Sequence, residues 1–155
     1  MRRGLAVIGI ATGLLFSAPA MARGVGPDAA ACAPGATGSA LRVRIHGFDE
    51  RDGSVRVSTY RATEAEWLVR GKYVRRIDIP VPASGDLELC VALPGTGRYA
   101  VGVLHDRNAD GKLNPFRDGF GVSNNPRLGL SKPKVERVAI AVGAGVTPIV
   151  IKVSR

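Results

Sequence analysis

The chain has 155 residues, with 22 Lys and Arg against 13 Asp and Glu and a formal charge of +9, which is one domain's worth of chain. Hydrophobic residues make up 45% and charged residues 23%, too apolar for a disordered chain and too mixed for a bundle of membrane-spanning helices. The 20 Gly and 10 Pro favour short elements joined by tight turns over long helices.

At the N-terminus, Met1, Arg2 and Arg3 give a positive start and Leu5 to Phe16 form a 12-residue apolar run. Ala20-Met21-Ala22 then supplies the small residues that a signal peptidase reads. The pattern predicts a secretory signal peptide over residues 1–22, cleaved after Ala22, because the run is too short for a bilayer core of about 30 Å. A lipoprotein anchor is set aside, since Cys32 lies beyond Pro19 and Pro27. Cleavage leaves 133 residues at +7 with no later transmembrane segment, and the expected location is periplasmic or secreted. An oxidising compartment makes Cys32 and Cys90, the two cysteines of the chain, a candidate disulfide, with two free thiols as the alternative.

Residues 23–40 are rich in Gly, Ala and Pro without a period and read as a flexible lead-in tethered at Cys32. Alternation then begins. Leu41, Val43 and Ile45 alternate with Arg42, Arg44 and His46, and Val55, Val57 and Thr59 with Arg56, Ser58 and Tyr60, which predicts two strands. Asp52-Gly53 between them is a hairpin signal. Thr63 with Glu66 forms a capping box that predicts a short helix through Trp67, Leu68 and Val69, ended by Gly71. Further strands are predicted over 73–81, over 86–93 with Cys90 out of phase with Leu87, Leu89, Val91 and Leu93, and at Tyr99, Val101 and Val103. The last two follow at 138–142 and 149–153.

About seven short alternating strands with one short helix predict an all-β fold over residues 41–155. The architecture expected is an antiparallel two-sheet sandwich, Ig-like or transthyretin-like, with a small barrel as the alternative. An outer-membrane barrel is disfavoured by short strands, outer faces carrying Arg and Lys, and too few aromatics for two girdles.

From Asp106 to Pro133 the chain shows 28 residues without strand or helix periodicity, a length that is often functional. Its opening is the most specific string in the sequence: Asp106, Asn108 and Asp110 are spaced two apart and followed by Gly111. Alternate hard oxygens before a sharp glycine turn are how a calcium loop begins. Lys112 would add its carbonyl and Asn114 its side chain. The twelfth position is Arg117 in place of a bidentate Glu, with Asp118 one place late, and a strand leads into the loop, so an EF-hand is excluded. What stays open is a weak calcium loop or an Asx-type turn in which the same side chains bond their own backbone.

Three strings carry a family resemblance: Gly97-Arg98-Tyr99-Ala100-Val101, then His105-Asp106 with Asn108 and Asp110-Gly111-Lys112, then Gly119-Phe120-Gly121-Val122-Ser123-Asn124-Asn125. With them the chain resembles the bacterial exported family catalogued as domain of unknown function 2141, over roughly Leu41 to Val153. The family's usual pattern has a longer acidic insertion where this chain has Asn114-Pro115-Phe116-Arg117-Asp118. The resemblance implies fold and export and carries no activity.

His105 falls in phase with Tyr99, Val101 and Val103, which points its ring to the core edge as a brace for the following loop, together with Gly111, Asp118, Ser123 and Asn124. A hydrolase built on His105 and Asp106 is the alternative from another class, but Ser123 lacks a nucleophile elbow and no catalytic set is assigned. The basic cluster Arg70, Lys72, Arg75 and Arg76 has only Tyr73 as an aromatic platform, so nucleic acid is not expected. The expectation is an exported binding or structural module, with a basic adhesin for anionic cell-envelope polymers as a further alternative.

Overall fold

The computed structural model describes residues 26–129 and 131–155, so the signal peptide and its cleavage site lie outside the described residues. Eight strands and one short helix follow in order: β1 (Ser39–His46), β2 (Ser54–Arg61), β3 (Arg75–Pro80), β4 (Leu87–Leu93), β5 (Gly97–Asp106), β6 (Gly119–Val122), α1 (Val135–Val138), β7 (Ile140–Val142) and β8 (Gly145–Lys152). Alternation in the sequence becomes the two faces of each strand. In β1, Leu41, Val43 and Ile45 are fully buried while Arg44 is exposed, and in β5 Tyr99, Val101 and Val103 point the same way.

The strands form two sheets, one ordered β4-β1-β8 and the other β3-β2-β5-β6, with β7 pairing the Gly97–Tyr99 end of β5. Their inner faces share one core of Val, Ile, Leu and Tyr99, which is the predicted all-β sandwich. Every pair is antiparallel except β1 with β8, which is parallel with Ile45 opposite Ile151. At its C-terminal end β8 reaches the other sheet, where Phe120 and Ser154 exchange backbone hydrogen bonds of 2.9 and 3.1 Å.

Each sheet also carries a smaller apolar cluster on its outer face. On the three-stranded sheet a 3-10 turn, Ala29–Cys32, packs on Ala40, and Cys32 is bonded to Cys90. The lead-in is held at a second point as well: Asp28 accepts bonds from Arg75 at 2.6 and 2.8 Å and from the Ala92 amide at 2.9 Å. On the five-stranded sheet Trp67, fully buried, stands edge-on to Tyr60, and its Nε1 donates to the Pro133 carbonyl at 2.9 Å. Gly102 leaves room beneath it, since a Cβ there would meet Trp67 and Leu68 side-chain atoms at 3.7 and 3.4 Å.

Three local expectations are corrected. Asp52-Gly53 does not join a hairpin, because β1 and β2 lie in different sheets and the segment between them crosses over. Gly53 is required at φ +76° for another reason: a Cβ there would overlap the Asp106 carbonyl oxygen, so the crossover packs flush on the end of β5. The segment 63–71 is a chain of turns in which Leu68 takes φ +55°, which ends the helical course after one turn and presses Trp67 onto the sheet. The short helix instead lies at Val135–Val138, just ahead of β7. Finally, the stretch after Asp106 contains β6, a strand of four residues whose two glycines hid its alternation.

Candidate functional site

The segment Asp106 to Pro133 leaves β5 at one end of the sandwich and returns through β6. Its first part is built around two buried carboxylates. Asp106 accepts the Asp110 amide at 3.2 Å and the Gly111 amide at 2.7 Å, while Asp118 accepts the Arg107 amide at 3.1 Å and the Asn114 amide at 2.7 Å. A buried carboxylate costs free energy unless its lone pairs are met, and these backbone donors meet them. Arg56 on β2 braces the loop from outside, bonding the Gly111 carbonyl at 2.8 Å and Asp78 at 2.6 Å.

The other predicted ligands sit at the surface. Asp110 is exposed and accepts Asn108 Nδ2 and the Lys112 amide, both at 2.8 Å. The Asn108 amide foremost, with the Lys112 N–H second, holds the Asp110 carboxyl below its ordinary range. Asn114 turns its Oδ1 to the Phe116 amide at 3.0 Å. The chain therefore makes the Asx bonds that this residue pattern permits, and Asp106 spends both oxygens on its own loop. Among the described residues no group of three or more His, Cys, Asp or Glu is gathered to hold a metal ion.

His105, Ser123 and Asn124, together with Asn125, close backbone bonds between distant segments. His105 is buried, donates Nε2–H to the Asp52 carbonyl at 2.9 Å, and stands edge-on to Phe48. That bond ties the crossover to β5. Ser123 is fully buried, accepting the Val101 amide at 3.0 Å and donating to the Val138 carbonyl. Its hydroxyl is committed at both ends, which leaves no free nucleophile there. Asn124 donates to the carbonyls of Arg137 and Ala139 at 3.3 and 3.0 Å. Asn125 caps the open edge of β8, donating to the Val150 carbonyl at 2.9 Å and accepting the Lys152 amide at 2.8 Å. Gly121 lets β8 approach, since a Cβ there would overlap the Lys152 carbonyl. Ser123, Asn124 and Asn125 thus clasp β6 to three other segments.

Once these duties are assigned, the residues left without a structural bond are the ones available for recognition. Beside the segment lies a groove of about 790 Å³ between residues 113–133 and the end of β8. Leu68, Phe120 and Leu128 give it an apolar floor, and Arg127, Lys132, Lys152 and Arg155 are its cations. Lys132 is paired with Glu64 at 3.3 Å and Arg155 with Asp49 at 3.5 Å. Among the described residues no carboxylate is within ion-pair distance of Arg127 or Lys152. Among the described residues Asp118 is the one acidic residue lining the groove, and its oxygens are taken by amides. The sequence reading missed Arg127 and Leu128; their signal was a cation beside a leucine in a segment without period. The basic cluster at 70–76 is not one surface, as Arg75 is engaged by Asp28 and Arg76 by Asp78.

The profile of a family described as an uncharacterized protein conserved in bacteria, domain of unknown function 2141, matches residues 43–150. No curated protein and no solved structure matches the chain. The protein belongs to this bacterial family, and the matched span runs from the middle of β1 into β8, taking in the strands between them and the whole Asp106 to Pro133 segment.

Proposed function

We propose that this family member is an exported binding module whose recognition surface is the groove between residues 113–133 and the end of β8. The observation that carries the reading is the combination of an apolar floor with unpaired cations in a concavity of about 790 Å³, a size that suits a small ligand. Such a lining selects an amphiphilic anion: the floor takes a hydrocarbon or ring, and Arg127 and Lys152 take the charge. A purely hydrophilic polymer would use the cations alone, and its binding would fade steeply with salt. An amphiphile keeps the contribution of its buried apolar area.

The test is calorimetric titration with monomeric lysophosphatidylglycerol and, for contrast, zwitterionic lysophosphatidylcholine. The reading expects saturable binding of the anionic amphiphile, at least tenfold tighter than the zwitterion, and its loss in Arg127→Glu and Leu128→Ser variants with parental melting curves. Absence of saturable binding by either amphiphile overturns it.

A second reading is a weak calcium site at Asp106, Asn108, Asp110, Lys112 and Asn114. It is favoured by Asp110, an exposed carboxylate kept anionic beside Asn108. With Asp106 spent on amides, a cation would meet Asp110, Asn108 and backbone carbonyls, a thin donor set for which a dissociation constant of about 1 mM is appropriate.

A further inference from the structure

At the tip of the same segment, beyond the groove wall that Leu113 and Pro115 help to line, the chain does something that no internal packing requires. Phe116 is 92% exposed and Leu113 is 51% exposed. A lone exposed leucine is ordinary, whereas an almost bare phenylalanine raised beside it on a loop is not.

The tip is a built feature. Asn114 and Asp118 close it reciprocally: the Asp118 carboxylate accepts the Asn114 amide at 2.7 Å, and the Asp118 amide donates to the Asn114 carbonyl at 2.8 Å. The Arg117 amide donates to the same carbonyl at 3.0 Å, and Asn114 Oδ1 takes the Phe116 amide. Pro115, Phe116 and Arg117 are therefore carried outward on a closed turn anchored by a buried carboxylate, so holding Phe116 in solvent costs little extra ordering on binding.

Charge and size select the occupant. Lys112 and Arg117 flank the two apolar residues, and among the described residues neither has a carboxylate within ion-pair distance. Two side chains on a convex tip offer far less than the roughly 800 Å² per partner that a stable protein interface buries. They match what an interfacial anchor uses: an aromatic at headgroup level, with cations at the anionic surface beside it.

We infer that the Leu113 to Arg117 turn is a membrane-contact site, which inserts Phe116 and Leu113 among the headgroups of an anionic bilayer while Lys112 and Arg117 pair with lipid phosphates. The inference is independent of the groove reading in Phe116, Lys112 and Arg117, none of which lines the groove, while Leu113 borders both.

The experiment uses the purified protein with large vesicles of equal phosphatidylglycerol and phosphatidylcholine, and with phosphatidylcholine alone. Cosedimentation is expected with the anionic vesicles only, weakening as salt rises. A double Leu113→Ser, Phe116→Ser variant is expected to partition at least tenfold less, and Phe116→Ser alone, which leaves the groove lining intact, to share most of that loss, both melting as the parent does. Because Trp67 is the single tryptophan and is fully buried, Phe116→Trp adds a surface reporter whose emission should shift to the blue with anionic vesicles. Equal partitioning of the double variant would show diffuse charge attraction and overturn the site. So would a Trp emission that stays unshifted on bound protein, or one that shifts with protein concentration without vesicles, which would make the tip a contact between copies. The Phe116→Trp emission reads the tip directly, which separates failure of this site from failure of the groove.

Discussion

Replacing Asp106 by Ala separates the two readings of the loop that follows β5. In the structure both Asp106 oxygens are buried and accept backbone amides, from Asp110 and Gly111. Hydrogen bonds to a charged acceptor contribute about 1.5–3 kcal/mol each, and deleting the acceptor leaves two donors to find water. Removing the carboxylate also removes its own desolvation cost, so the net loss should be about 3 kcal/mol. For a domain of this size that lowers the melting temperature by about 12 °C. A calcium site with a dissociation constant near 1 mM behaves differently, since 2 mM calcium would add only about 0.6 kcal/mol by mass action. Thermal melts of the parent, Asp106→Ala and Asp110→Ala, each with calcium and with chelator, make the comparison. The capping argument expects the large Asp106→Ala loss in chelator, and a much smaller change in Asp110→Ala because that carboxylate is exposed. If Asp106→Ala melts within about 3 °C of the parent in chelator, and the two part only when calcium is added, then the carboxylate is a ligand and the capping argument is refuted.

Reducing the Cys32–Cys90 bond opens a sequence separation of 58 residues, which the chain-entropy relation values at about 4 kcal/mol; a melt with and without reductant should show that loss, and an unchanged curve would count against the bond. Gly121→Ala should cost about 3 kcal/mol or more in a denaturant titration, because its Cβ would overlap the Lys152 backbone, whereas Gly129→Ala, with open space around it, should cost well under 1. Asp28 is held below its ordinary range first by the Arg75 hydrogen bonds. Its stabilising contribution is therefore complete above the unfolded carboxylate pKa of about 3.9 and is lost as pH falls through the lower folded value. Asp28→Asn should cost about 1–2 kcal/mol at neutral pH, with the gap to the parent closing in acid, and a gap constant down to pH 2 would contradict the assignment.

The strands were legible because alternation is a local property with a period of two, and the inner face of each sheet demands it over consecutive residues. Leu41, Val43, Ile45, Leu87, Leu89 and Val91 needed no partner to be recognised. What was not legible were elements whose cause lies elsewhere in the chain. Gly119-Phe120-Gly121-Val122 has little alternation because Gly121 answers to β8 and Gly119 to His105, and Thr63 to Val69 carries a helix signal that Trp67 overrides by packing on Gly102 and bonding Pro133. Asp52-Gly53 reads as a hairpin on local grounds, while β1 had already been claimed on both edges by β4 and β8.

The same division runs through the candidate site. The sequence alone marked out the Asp106 to Pro133 segment, its acidic spacing and the Gly-rich return, because these residue types have few roles and their order is visible. Only the tertiary structure decided which of those roles each residue fills. It set Asp106, Asp118, Ser123, Asn124 and Asn125 to closing backbone bonds, and left Phe116, Arg117 and Arg127 facing solvent. The reason is that a side chain's availability depends on whether its hydrogen-bonding and packing needs are met by neighbours distant in sequence, and those neighbours are chosen only when the two sheets close.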